Sequence, residues 1–193
     1  MDAGGSADPG ELARDHYFLA SVASELKSFQ TAAEHYGKAA DISSAAPGFD
    51  LNLRLGMRER QAYALHEARR FAEAYEVNRL VLEEGERAFG VDDHRLGTVL
   101  INAAQNLYAL ERLPEAESYL KRALAICRAR SEIEREQDLL YQLAVLAGEQ
   151  GRTAQARAYL AERVERLEKL GPSKLKEAAR RALEHFDRHH PRT

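Results

Sequence analysis

The sequence predicts an all-α fold of four tandem helical hairpins closed by a ninth helix, and three observations predict it. Glycine and proline act as punctuation: Gly4, Gly5, Pro9 and Gly10 cluster at the start, and later breaks fall at Pro47-Gly48, Gly90, Gly151 and Gly171-Pro172. The segments between are rich in Ala, Leu, Glu and Arg, which are strong helix formers. Apolar residues recur at three- and four-residue spacing, as in Leu100, Ala103, Ala104, Leu107 and Leu110, and none of the segments alternates at strand period. Finally, SFQTAAEHY from Ser28, RFAEAYEVN from Arg70, RLPEAESYL from Arg112 and RTAQARAYL from Arg152 superimpose in a register of 42, 42 and 40 residues.

These lines share Ala32, Ala74, Ala116 and Ala156, and twelve residues before each stands Ala20, Ala62, Ala104 or Ala144. Two small positions at that spacing let antiparallel helices approach closely around a short turn, where a larger side chain would hold the axes apart. Helices are expected near 11–27 and 30–45, 51–69 and 72–88, 94–111 and 114–130, and 132–150 and 153–170. Phe29, Phe71 and Leu113 stand at the turns and can fill the space between paired helices, whereas the fourth repeat has Thr153. Asp50 and Asp93 suit the N-caps of the second and third hairpins, and Gly90 stands where a left-handed helix stop is wanted. Pro114 suits a first helical turn, and Ser131 with Glu134 has the spacing of a capping box. The ninth helix, after Pro172, has Leu175, Ala179, Ala182, Leu183 and Phe186 on one face and Lys174, Lys176, Arg180, Arg181 and Arg188 on the other. It reads as a cap that closes the exposed apolar side of the last hairpin. The expected organisation is a flexible start over 1–10, one four-repeat domain over 11–170 (about 11–45, 51–88, 94–130 and 131–170), the capping helix over 172–188 and a flexible tail over 189–193.

Composition narrows the function. With 28 basic and 31 acidic residues the net charge is −3, so the clustered excess of Lys and Arg that duplex nucleic acid requires is missing. The longest uncharged stretch, Leu96 to Leu110, is fifteen residues, short of the roughly 18 needed to cross a bilayer, and MDAGGSADPGE lacks the basic and apolar regions of a signal peptide. A cytoplasmic protein with neither a nucleic-acid nor a membrane partner is expected. A lone cysteine, Cys127, continues the spacing of Leu120, Ala123 and Leu124, which suits a buried structural thiol.

The repeat resembles the tetratricopeptide repeat over about residues 12 to 170. The match lies in the small-residue skeleton: the Trp landmark of that family reads His16, Arg58, Leu100 and Leu140, and its later Phe reads Tyr36, Asn78, Leu120 and Leu160. The 42-residue spacing resembles the kinesin-light-chain subtype, as does Phe89-Gly90-Val91-Asp92-Asp93-His94 ahead of an Asn-bearing helix with Asn102 and Asn106. The resemblance implies a right-handed α-solenoid, a packing role for His94 in the turn, and a concave groove lined by the first helix of each hairpin.

Counted from the anchoring alanines, the groove offers Arg14, Tyr17, Ser21 and Ser24, then Glu59, Tyr63, His66 and Glu67. The third repeat adds Ile101, Asn102, Gln105 and Tyr108, and the fourth Asp138, Tyr141, Gln142, Val145 and Glu149. The candidate partner-binding set is Tyr17, Ser21, Glu59, Tyr63, His66, Asn102, Gln105, Tyr108, Tyr141 and Gln142. Tyrosine joins a large apolar face to a polar tip, and Asn or Gln amides can hold an extended backbone. The alternative is that the tyrosines fill helix contacts. The basic clamp of chaperone-binding relatives is not reproduced, and the acidic lining favours a polar or basic peptide.

No phosphate loop, nucleophile elbow or carboxylate pair stands out. The seven histidines are dispersed apart from His185, His189 and His190, and lack the closed ligand set of a zinc site. A non-enzymatic adaptor without cofactor or metal is expected, a monomer or weak homodimer that binds a protein or peptide. The alternatives are a self-assembling structural module and a regulator whose curvature changes on binding.

Overall fold

A computed structural model describes residues 8–46, 48–169 and 174–190. Its helices, in chain order, are α1 (Pro9–Glu25), α2 (Phe29–Ser43), α3 (Leu51–Glu67), α4 (Phe71–Phe89), α5 (Leu96–Ala109), α6 (Leu113–Ala129), α7 (Ile133–Glu149), α8 (Thr153–Glu168) and α9 (Lys174–His189). No strand occurs among the described residues. The helices cluster in two compact units divided between Arg112 and Leu113.

In the first unit α1 pairs with α2 and α3 with α4, while α2 packs on α3 and α4 on α5. Ala20, Ala32, Ala62 and Ala74 are at most 1 % exposed, as the close-approach argument requires. Between hairpins the small residue is glycine. A Cβ on Gly37 would stand 2.7 Å from the Gln61 amide nitrogen of α3, and one on Gly85 2.7 Å from a Leu96 methyl of α5. In the second unit α6 packs on α7, α7 on α8 and α8 on α9. Ala116, Ala144 and Ala156 are buried there as well. The cap α9 is held to α8 by Arg157 donating twice to Asp187, at 2.8 and 3.0 Å, and by Arg180 donating to Glu168 at 2.6 Å.

Four turns repeat one backbone device. Lys27, Arg69, Glu111 and Gly151 all have φ between 57° and 71°, in the register of the sequence repeat. The next N–H then reaches back five residues: Ser28 to Ala23, Arg70 to Leu65 and Arg152 to Ala147 at 2.8 Å, and Arg112 to Leu107 at 2.9 Å. This is the Schellman closure, which supplies orphan carbonyls at the helix end with donors.

Several local expectations change. Helix α1 already begins at Pro9, inside the segment assigned to a flexible start, because Asp8 Oδ1 accepts the Gly10 N–H at 3.2 Å and proline fits the first turn. Residues 1–7 lie outside the described residues, as do Gly171-Pro172 and 191–193; His189, assigned to the tail, ends α9. Asp50 caps α3 by accepting from Leu53 N–H at 2.9 Å. Asp93 does not cap α5: that helix starts three residues later, and the carboxylate instead accepts the Arg95 N–H at 2.9 Å. The Ser131/Glu134 box is absent because Ser131 adopts φ 57° as the turn residue of a fifth such closure, leaving Glu132 at the N-cap of α7. Gly90 has φ 93° with ψ 156°, extended rather than left-handed-helical, a region only glycine occupies readily.

Candidate functional site

The first unit presents the open face of α1, α3 and α5. Register decides how deep each residue sits: Tyr17, Glu59 and Ile101 are equivalent, as are Ser21, Tyr63 and Gln105. Tyr17 is half-buried, edge-on to Tyr36 with ring centroids 5.5 Å apart. Ser21 Oγ donates to the Tyr17 carbonyl at 3.1 Å and lies 3.2 Å from the Tyr36 hydroxyl. These two residues therefore serve the packing of the first hairpin. Tyr63 is different: its ring meets Phe29 edge-on at 6.4 Å, yet the residue is 52 % exposed.

Next to it runs a polar chain. His66 Nδ1 lies 2.8 Å from Asn106 Oδ1, and because an amide oxygen only accepts, the imidazole Nδ1 is the donor. Asn106 Nδ2 in turn donates to the Asn102 carbonyl at 2.9 Å. Asn102 is half-buried, Gln105 exposed and Tyr108 43 % exposed. Asn106, which the sequence marks only as part of the Asn-bearing helix, is not among the groove candidates, although an amide at a register shared with Ala64 and Leu146 is the signal that could have placed it there.

Glu59 is half-buried and makes no hydrogen bond among the described residues; burial lifts its carboxyl above the ordinary 4.5, opposed by the nearby charge of Arg60. The Arg60 guanidinium lies over the Tyr17 ring, 5.7 Å from its centroid.

The remaining two candidates belong to the second unit. Tyr141 is 46 % exposed with Arg163 5.2 Å from its ring centroid, and Gln142 is half-buried. The Arg163 guanidinium is itself buried, and desolvation lowers its pKa.

Chemistry elsewhere is sparse. Cys127 is 1 % exposed and its thiol is pushed up to about 11, first by burial and then by Glu132, whose carboxylate its sulfur meets at 3.7 Å. Such a thiol is inert at neutral pH. His94 does not pack into its turn: it is exposed, 3.5 Å from the Asp93 carboxylate, because α5 begins beyond it. Among the described residues no group of three or more His, Cys, Asp and Glu is placed to hold a metal ion, and no helix is long and apolar enough to cross a membrane.

Tandem hairpins with this alanine register and this turn define an α-solenoid repeat protein. Residues 53–129 match the tetratricopeptide-repeat family. A Podosopora anserina protein of kinesin-light-chain type, with nearly identical TPR-like repeats, has a similar structure: TM-score 0.79, 19 % identity, 95 % of this chain and 88 % of that one covered. BtubC (BKLC) from P. vanneervenii gives a TM-score of 0.71 at 17 % identity, covering 96 % of this chain and 85 % of that one. The Rap conjugation gene regulator of plasmid pLS20, in complex with the Phr* peptide, gives 0.64 at 14 % identity, covering 98 % of this chain and 53 % of that one. No curated protein matches the chain by sequence. The chain shares the fold of tetratricopeptide-repeat solenoids, kinesin-light-chain-like ones among them, and residues 53–129 match that family's repeat.

Proposed function

We propose that the chain is a non-enzymatic adaptor that holds an extended segment of a partner protein on the α1–α3–α5 face of its first unit. The observation that carries this is that α3 and α5 present two exposed tyrosines, Tyr63 and Tyr108, with the amides of Asn102 and Gln105 and the His66–Asn106 hydrogen bond. Aromatic rings supply contact area at low rotamer cost, and amides pair with a peptide backbone without selecting its sequence. The peptide-bound gene regulator among its structural neighbours supports the same use of the fold. Affinity capture with the intact chain and with a folded Asn102→Ala/Tyr108→Ala variant tests it: a partner retained by the first is lost by the second. Equal retention by both ends the proposal.

One observation favours a second reading, self-association. Leu12, Phe18, Leu19, Val22 and Leu26 of α1 are all at least 38 % exposed, and a contiguous apolar strip on one helix is a common site of pairing. Light scattering over a concentration series decides it, and a constant mass of 21.6 kDa excludes it.

A further inference from the structure

We infer that Glu59 is the receptor for a cationic side chain, Lys or Arg, of the bound segment, an inference that rests on the docking reading above. Three observations converge on it. Glu59 occupies a register position filled by Tyr17, Ile101 and Tyr141 in the other repeats, so a carboxylate has been placed where the fold elsewhere accepts an apolar or aromatic side chain. It is half-buried without a hydrogen bond among the described residues, an arrangement that costs stability unless a partner supplies the missing charge. The cations of the same face point elsewhere: Arg60 lies over the Tyr17 ring at 5.7 Å and Arg14 near the Phe49 ring at 6.0 Å. Among the described residues Glu59 and the exposed Glu25 and Glu67 form no ion pair. These three acids outnumber Arg14 and Arg60, which form no ion pair among the described residues either, so the set keeps a net negative charge whose complement is a basic segment.

Tyr63, one helical turn beyond Glu59 and 52 % exposed, offers a ring along which the aliphatic stem of Lys or Arg can lie while its head reaches the carboxylate. Aspartate or glutamate in the bound segment would meet like charge and be rejected. The cost to the free protein is a carboxylate whose ionisation is opposed by burial, and Glu59→Gln removes that cost, so this variant keeps its fold.

The test is selection from a phage-displayed random dodecapeptide library on the whole chain, followed by affinity measurements on selected peptides. The expected result is a recurrent Lys or Arg, an affinity loss of about tenfold or more on Glu59→Gln, the scale of one charge-assisted contact, and recovery when Glu59→Arg meets a peptide carrying Glu in place of that base. Peptides that depend on Tyr63 and Tyr108 but share no basic residue, or bind Glu59→Gln unchanged, overturn this inference and leave the docking reading standing. Selection of no peptide, or only of peptides indifferent to Tyr63→Ala/Tyr108→Ala, overturns both.

Discussion

Gly151→Ala and Lys27→Gly alter the same turn position in different repeats and should move stability in opposite directions. Gly151 has φ 71° and a Cβ built on it meets nothing within 4 Å, so the substitution changes backbone strain alone. An L-residue held in the left-handed region costs about 1–2 kcal/mol, and replacing glycine returns roughly 0.4–1 kcal/mol by restricting the unfolded chain. The net is a loss of about 0.5–1 kcal/mol. Lys27, with φ 57°, already bears that strain in the first unit, so Lys27→Gly gains the same amount. With a urea dependence of about 1–3 kcal/mol per molar, far-ultraviolet circular dichroism should show midpoints displaced by roughly 0.2–1 M, down for Gly151→Ala and up for Lys27→Gly. Shifts of the same sign, or none, would refute the claim that these turns carry strain at one shared position.

Two further outcomes follow from buried polar groups. Asn78 is 0 % exposed and neither amide atom has a hydrogen-bond partner among the described residues, while Tyr36, Leu120 and Leu160 fill the equivalent positions; Asn78→Leu should stabilise by about 1–3 kcal/mol, and a lower melting temperature would contradict this. Glu117, 7 % exposed, accepts from Arg152 at 3.1 Å and pairs with Lys121 at 2.8 Å, and the Arg152 bond leads the causes that hold its carboxyl below the ordinary 4.5. A depressed carboxyl contributes its stability fully above 4.5 and loses it as pH falls through the folded-state value. Arg152→Ala should therefore cost about 1–3 kcal/mol at neutral pH and progressively less in acid, and a pH-independent difference in urea midpoint would disprove the linkage.

Much of this fold was legible because it depends on local rules. The alanine pairs mark where helices must approach, and α1 with α2, α3 with α4 and α7 with α8 pair there. Asp50 capped its helix as its residue type suggests, whereas Asp93 and Ser131 did not. Small polar residues suit both an N-cap and the turn before it, and only the backbone path chooses between them. The candidate site was legible as a face, through register counting, but not as a chemistry. Tyr17 and Tyr63 look alike in sequence, yet they occupy different register positions: one packs against Tyr36 while the other stands half in solvent. That Arg60 reaches Tyr17 on another helix, leaving Glu59 unpaired among the described residues, depends on side-chain paths between helices, which periodicity does not encode.

A single pair of positions shows where the boundary lies. Residues 54 and 84 correspond by register to 136 and 166, and the repeat dictates that each pair brings two helices of one hairpin together. The first is Arg54 with Glu84 at 3.2 Å, and the second is Glu136 with Arg166 at 2.8 Å, the same bridge with its charges exchanged. By itself, then, the sequence determined the helices, their pairing and the repeat register, because hydrophobic spacing and small residues act over one or two turns of chain. Tertiary structure alone decided which charges are matched, which amides are buried without a partner among the described residues and which carboxylate is half-buried. Those outcomes depend on desolvation and on distances between side chains far apart in the chain, and both arise only when the helices pack.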